Sequence, residues 1–203
     1  MKYKGKKVAF YTLGCKLNFS ETSTIAASFV KAGFTRVEFA EKADVYVINT
    51  CSVTNHGDKT SRNIIRRAIK QNHQALVIVT GCYAQLKPDE IARIKGVDFV
   101  LGAHEKFDTP ACLANLKKRE TPEIRTSSFA NIKSYHHSFS WGDRTRSFLK
   151  IQDGCDYFCS YCTIPLARGR SRNDTIANTV AEARKVVQKG CKEIILTGVN
   201  IGD

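Results

Sequence analysis

Over roughly the first 120 residues, short runs of β-branched residues alternate with longer stretches of helical periodicity. This alternation is the sequence feature that constrains the fold most strongly. It is typical of a parallel sheet whose strands are connected by helices. The predicted strands are Val8–Leu13, Asp44–Asn49, Ala75–Thr80 and Asp98–Leu101. The predicted helices are Ser20–Ala32, Lys59–Gln71, Pro88–Ile94 and Thr109–Lys118. We therefore expect an α/β domain over residues 1–120.

A change of pattern divides the chain after this domain. Residues 121–146 are mostly basic and polar, and we interpret them as a linker. A second unit follows, with a strand at Ser147–Gln152, a helix at Thr175–Lys189 and a strand at Glu193–Thr197. One strand–helix–strand unit cannot bury both faces of a parallel sheet. We therefore expect residues 147–203 to be the beginning of a larger domain that is truncated here.

The composition is that of a globular protein, with 42% hydrophobic and 25% charged residues among 203. Its apolar runs are far shorter than the roughly 20 residues of a membrane span, and no signal-peptide pattern opens it, so we expect a cytoplasmic location. Because cytoplasmic thiols are kept reduced, the eight cysteines favour metal or redox chemistry over disulfides. The net charge of +13 favours a polyanionic partner such as nucleic acid, with acidic protein or membrane headgroups as alternatives.

Three cysteines follow the strand at Ser147–Gln152 with the spacing C-x3-C-x2-C: Cys155, Cys159 and Cys162. Three thiolates on one short loop can bind three irons of a cubane cluster and leave the fourth iron open to a ligand. The alternative, a structural zinc site, requires four ligands and usually two closely spaced pairs, which this segment lacks. The spacing therefore favours an iron–sulfur cluster.

This loop resembles the cluster loop of the radical S-adenosylmethionine superfamily, in which an aromatic residue, here Tyr161, precedes the last cysteine. The resemblance implies that the open iron binds the methionyl amine and carboxylate, and that one electron cleaves the sulfonium to a 5′-deoxyadenosyl radical. The superfamily receives the methionyl amine on a glycine-containing segment after the second strand. LTGVNIG at 196–202 lies there, so Thr197, Gly198 and Asn200 are further candidate S-adenosylmethionine contacts.

Three more cysteines, Cys15, Cys51 and Cys82, each follow the carboxyl end of a predicted strand. These ends line one edge of a parallel sheet, where ligand crevices form. A single cysteine there would most simply be a small packing residue. Three at equivalent positions predict a second cluster. Cys112 and Cys191 lack such positions and are expected to be packing residues.

A three-cysteine α/β domain followed by the 155–162 loop resembles the methylthiotransferase family. The resemblance implies that Cys15, Cys51 and Cys82 hold an auxiliary 4Fe–4S cluster, giving two clusters in all, and that a separate protein supplies electrons. TLGCKLN at 12–18 and CSYCTIPLARGRSR at 159–172 resemble the branch that modifies C2 of threonylcarbamoyladenosine beside the tRNA anticodon. The isopentenyladenosine branch usually has glutamine and methionine where this chain has Lys16 and Leu17.

Other activities remain open at this stage. Within the same family, the substrate could be isopentenyladenosine in tRNA or an aspartate of a ribosomal protein. From another class, the chain could be an iron–sulfur or RNA-binding module without catalysis. The sequence singles out no acid, base or nucleophile among its side chains.

Two groups of basic residues are candidate tRNA contacts. Arg168, Arg170 and Arg172 alternate after the cluster loop, which would place them on one side of an extended segment, where they could bind phosphate or a cofactor carboxylate. The second group recurs at helical spacing and predicts a basic stripe on one helix. Its members are Lys59, Arg62, Arg66 and Lys70.

Overall fold

The computed structural model describes residues 2–52, 54–113, 115–142 and 145–202. A six-stranded, wholly parallel sheet dominates it, with the strand order β2-β1-β3-β4-β5-β6. The strands are β1 (Lys7–Thr12), β2 (Thr35–Val37), β3 (Val45–Thr50), β4 (Leu76–Gly81), β5 (Phe99–Leu101) and β6 (Glu123–Arg125). The α/β fold predicted from the alternating pattern is thus confirmed.

The helices of this domain are α1 (Lys16–Ala32), α2 (Asn55–Gln71), α3 (Cys82–Leu86), α4 (Pro88–Ala92) and α5 (Thr109–Cys112). Local signals explain their ends. Helix α1 stops at Gly33, which adopts a left-handed conformation with φ 106°. Helix α2 begins after Thr54, whose hydroxyl accepts a hydrogen bond from the Gly57 amide.

The core lies on both faces of the sheet. Every residue of β3 and β4 is buried, as expected for central strands covered by helices on both sides. Ile25 and Phe29 of α1 cover one face, and Ile65 and Ala68 of α2 cover the other. Strands β3 and β4, whose carboxyl ends precede Cys51 and Cys82, are therefore held by packing on both faces.

The second unit consists of β7 (Arg146–Lys150), β8 (Gln152–Asp153), α6 (Ile164–Arg168), β9 (Arg172–Asn173), α7 (Ile176–Gln188) and β10 (Glu193–Thr197). Strands β7 and β10 pair in parallel, and β8 and β9 pair antiparallel. The unit packs on α1 through Phe148, whose ring lies edge-on to Phe19 with centroids 5.8 Å apart. Ile176 and Val187 of α7 remain exposed.

Several predicted boundaries were wrong. The helix predicted at Thr109–Lys118 ends at Cys112, and residue 114 lies outside the described residues. The segment 121–146, predicted to be a linker, contributes β6 to the edge of the sheet. Short edge strands such as β2 and β6 carry little periodicity, so the sequence did not indicate them. Among the described helices, none is long and apolar enough to span a membrane.

Candidate functional site

Cys15, Cys51 and Cys82 lie at the carboxyl ends of β1, β3 and β4, which are neighbours in the sheet. Cys15 precedes α1, and Cys82 is the first residue of α3. The loops that contain Cys15 and Cys51 approach each other closely at Gly14. A Cβ atom added to Gly14 would lie 2.7 Å from Cys51 Cβ. Gly14 also has a φ of +95°, so only glycine fits without strain. The topology thus brings together the three cysteines that the sequence singled out.

The Cys82 thiol is buried near the other two cysteines and near the charges of Arg168 and Lys106. Burial raises the pKa of the Cys82 thiol, and the nearby Cys51 and Cys15 raise it further, whereas the charges of Arg168 and Lys106 lower it. Within the described part of the chain, no three His, Cys, Asp or Glu side chains are close enough to hold one metal ion. A cubane cluster binds each thiolate through a different iron, so its ligands stand farther apart than those of a single ion. Three thiols along one sheet edge are the ligand type that such a cluster uses.

Asn18 ties the first two cysteine loops together. Its amide nitrogen donates to the carbonyl of Leu13 at 2.8 Å and to that of Thr50 at 3.1 Å. Asn49 donates in turn to the Asn18 carbonyl at 3.0 Å. Asn18 is wholly buried, although no sequence pattern assigns it a role. In the sequence, its position one turn after a candidate ligand was the available signal, and its burial became apparent only in the structure.

The second cysteine loop runs between β8 and α6 and folds back on the chain beyond α6. The Cys155 amide donates to the Gly169 carbonyl at 3.1 Å, and the Cys162 amide donates to the Cys159 carbonyl at 3.0 Å. Cys159 is exposed, and Cys155 and Cys162 are half-buried. Three accessible thiols on one turn are a suitable donor set for a cluster with an open iron. Tyr161 is also exposed in this loop.

Gln152 connects this loop to the glycine-containing segment after β10. Its side-chain oxygen accepts from the Val199 amide at 2.7 Å and from the Asn200 amide at 3.0 Å. Its nitrogen donates to the Gly154 carbonyl at 2.7 Å, at the entrance to the cysteine loop. Gln152 was missed because a glutamine at a strand end has no distinctive local pattern.

A cavity of about 660 Å³ is lined by residues of both domains, with Cys15 among them, whereas Cys155, Cys159 and Cys162 do not line it. The first domain contributes the loop that contains Cys15, and the second contributes Ile164, Arg168 and the turn after β10. Its lining includes Gly14, Cys15, Lys16, Leu17, Ile164, Arg168, Leu196, Thr197, Gly198, Val199 and Ile201. Thus Thr197 and Gly198 face the same space as the first upstream cysteine.

A buried network of charges joins the two domains behind this cavity. Glu21 of α1 is wholly buried and lies 2.6 Å from Lys106 Nζ, 3.3 Å from Lys150 Nζ and 3.2 Å from Arg168 Nη1. Asp153 lies 2.9 Å from Arg168 Nη1 and 3.1 Å from Arg172 Nη2. None of these charged residues except Arg168 and Arg172 was singled out by the sequence analysis.

The pKa values of the two carboxyl groups reflect this network. Burial alone would raise the pKa of Glu21, but Arg168, Lys106 and Lys150 outweigh it and lower the pKa to about 2. The pKa of Asp153 is likewise held well below its ordinary value, because Lys150, Arg168 and Arg172 outweigh the effect of burial. Both groups are therefore carboxylates near neutral pH.

The predicted arrangement of Arg168, Arg170 and Arg172 on one extended segment was wrong. Arg168 is the last residue of α6, and only 2% of its surface is exposed, so it presents no surface to a nucleic acid. Arg172 is half-buried and bonded to Asp153. Arg170 is exposed, with Asp156 at 3.6 Å. The alternation of arginines along the sequence could not reveal that α6 ends at Arg168, before Arg170 and Arg172.

The basic stripe on α2 is only partly available. Lys59, Arg66 and Lys70 are exposed. Arg62 instead donates to Glu90 at 2.7 Å and to the Tyr83 hydroxyl at 2.8 Å, so its guanidinium is already engaged. A surface cavity of about 460 Å³ is lined by Asn63, Arg66, Arg67, Lys70 and Gln71.

Two family models match the chain in the order of its two domains. Residues 7–102 match uncharacterized protein family UPF0004, and residues 149–202 match the radical SAM superfamily. The first match contains Cys15, Cys51 and Cys82, and the second contains the 155–162 loop.

Relatives match across nearly the whole chain. The threonylcarbamoyladenosine tRNA methylthiotransferase MtaB of Bacillus subtilis is 45% identical over 96% of this chain and 44% of its own length. The MtaB of Aquifex aeolicus is 39% identical over 96% of this chain and 48% of its own length. The tRNA-2-methylthio-N(6)-dimethylallyladenosine synthase of Pelagibacter ubique is 33% identical over 97% of this chain and 45% of its own length.

This chain spans less than half the length of each of these three relatives. They nevertheless cover both domains in the same order, and the radical SAM match implies S-adenosylmethionine and iron–sulfur cofactors. Over nearly its whole length, the chain is similar to radical S-adenosylmethionine methylthiotransferases.

Proposed function

We propose that the protein inserts a methylthio group at C2 of N6-threonylcarbamoyladenosine, next to the anticodon of tRNA. The observation that carries this proposal is the cavity that is lined both by Cys15 and by Thr197 and Gly198, the candidate S-adenosylmethionine contacts. An enzyme that transfers sulfur to an unactivated carbon needs its radical source and its sulfur site open to one space. The names and identities of the MtaB relatives support the choice of nucleoside.

The proposal assigns a role to each group of cysteines. Cys155, Cys159 and Cys162 hold one 4Fe–4S cluster, and Cys15, Cys51 and Cys82 hold the auxiliary one. When bound, the first would supply the electron that cleaves S-adenosylmethionine, and the second would provide the site of sulfur transfer. An external reductant protein is the proposed electron donor.

The chain's own residues would position the cofactor and exclude water. Thr197, Gly198 and Asn200 would receive the methionyl end, with Gln152 holding this turn through the Val199 and Asn200 amides. Tyr161 would lie beside the cofactor on the cysteine loop. The side chains of Leu17, Ile164 and Ile201 give the cavity an apolar lining that limits competing reactions of a radical.

The proposed macromolecular partner is tRNA, bound in the cytoplasm. Lys59, Arg66 and Lys70 are exposed on one helix and would contact phosphates, supported by the net charge of +13. Arg170 is a further exposed candidate beside the cysteine loop.

The test combines cofactor analysis with nucleoside profiling. Anaerobically reconstituted full-length protein should contain about eight irons per chain, and about four would support only one cubane. With reductant and S-adenosylmethionine it should form 5′-deoxyadenosine, and its absence would indicate a non-catalytic iron–sulfur or RNA-binding module. A deletion strain should lose the methylthio group from threonylcarbamoyladenosine. Loss from isopentenyladenosine or from a ribosomal-protein aspartate instead would refute the proposed substrate.

A further inference from the structure

Arg168 connects the two cysteine sites through a single guanidinium group. Its Nη2 atom donates to Asn18 Oδ1 at 2.5 Å, and its Nη1 atom donates to Asp153 Oδ1 at 2.9 Å. The Asn18 amide nitrogen donates to the carbonyls of Leu13 and Thr50, which lie beside Cys15 and Cys51. Asp153 accepts from the Gly154 amide at 2.9 Å, immediately before Cys155. The chain of bonds therefore runs from one cysteine loop to the other.

The charges of the network show that Arg168 is more than a counter-ion. Glu21 and Asp153 are the carboxylates, whereas the cations are Lys106, Lys150, Arg168 and Arg172. Without Arg168, three cations would still face two carboxylates. The contact that distinguishes Arg168 is its hydrogen bond to Asn18. A planar guanidinium can donate to Asn18 and to Asp153 at the same time, whereas a lysine ammonium is a compact point charge that does not reproduce this geometry.

We propose that Arg168 is a positioning residue that holds the upstream cysteine loops and the 155–162 loop at a fixed separation. Its function would be to couple radical formation to product formation, because a displacement of about 1 Å in a reacting pair can lower a rate about a hundredfold. The inference about coupling rests on the proposed function of the two cysteine sites. The inference about positioning rests only on the contacts above.

The first experiment uses metal-free, full-length protein and does not depend on cofactors. The exchange of backbone amide hydrogens is measured by mass spectrometry for the wild type, Arg168→Gln and Arg168→Lys. The control is Arg93→Gln, which changes an exposed arginine at the end of α4. We expect faster exchange in both Arg168 variants over residues 13–18 and 50–52, by about tenfold. Arg93→Gln should exchange like the wild type. Unchanged exchange in both Arg168 variants would refute the positioning role.

The second experiment measures coupling in the anaerobically reconstituted enzyme. Both Arg168 variants should retain wild-type iron content and form 5′-deoxyadenosine, but the ratio of methylthiolated nucleoside to 5′-deoxyadenosine should fall about tenfold or more. A wild-type ratio in both variants would overturn the inference. A ratio lowered by Gln but preserved by Lys would also overturn it, since charge alone would then suffice. If Arg168→Gln fails to fold, the ratio measured for Arg168→Lys alone decides whether the inference holds.

The two experiments separate this inference from the proposed function. Wild-type protein with one cluster or no 5′-deoxyadenosine would contradict the proposed function, while the exchange data on metal-free protein would still decide whether Arg168 positions the loops.

Discussion

Glu21 and Lys106 form an ion pair of 2.6 Å although both side chains are almost wholly buried. Because the pKa of Glu21 is lowered to about 2 from an ordinary value of 4.5, its ionisation stabilises the fold above pH 4.5. That stabilisation is lost as the pH falls toward 2, and it amounts to about 3 kcal/mol at most. The midpoint of urea unfolding of metal-free protein should therefore decline through this pH range.

A Glu21→Gln variant provides the control for this pH dependence. It should be less stable near neutral pH by about 3 kcal/mol, because Lys106 loses its buried partner. The difference from the wild type should shrink as the pH approaches 2. Parallel curves for the two proteins would contradict the assigned pKa.

Gly14→Ala should disrupt the upstream cysteine site. The new Cβ atom would lie 2.7 Å from Cys51 Cβ and 2.9 Å from Cys51 Sγ, in a backbone with φ +95°. We expect anaerobic reconstitution to recover about four irons instead of about eight. Gly5→Ala is the matched control, because its φ is +82° but nothing lies within 4 Å of the new atom. Full iron content in Gly14→Ala would contradict a need for the close approach of the Cys15 and Cys51 loops in the proposed cluster site.

Gln152→Ala should weaken the binding of S-adenosylmethionine. The substitution removes both hydrogen bonds that hold the Val199 and Asn200 amides. At about 1 kcal/mol for each bond, the dissociation constant should rise about tenfold or more, as measured by equilibrium binding to reconstituted protein. Gln188→Ala, at the exposed end of α7, should bind like the wild type. If both variants bind S-adenosylmethionine with equal affinity, the turn after β10 is not part of the cofactor site.

Arg66→Gln should reduce the salt dependence of tRNA binding. Losing one phosphate contact lowers the slope of log affinity against log salt by about one unit. Arg62→Gln should leave the slope unchanged, because Arg62 is already bonded to Glu90 and Tyr83. Filter binding at several salt concentrations measures both slopes. The same slope for Arg66→Gln and the wild type would show that this helix face does not contact tRNA.

The local pattern of the sequence was sufficient for most of the main fold. The predicted strand Glu193–Thr197 agrees with β10 at both ends, and the predicted helix Ser20–Ala32 lies within α1. The apolar run Ile194–Leu196 marks β10, and α1 has a clear stop at Gly33. Strand β6 was missed because its burial pattern is mostly exposed, which leaves no periodic signal.

Sequence spacing alone identified Cys155, Cys159 and Cys162 as one candidate cluster site, because these three residues are close along the chain. The sequence also indicated that Cys15, Cys51 and Cys82 follow strands, and parallel strands share their carboxyl edge. Only the tertiary structure decided how the two sites are joined. Glu21 and Lys150 resemble ordinary surface charges in sequence, yet both are buried, and Glu21 pairs with both Lys150 and Arg168. Such pairings depend on three-dimensional proximity between distant segments, and local periodicity carries no information about them.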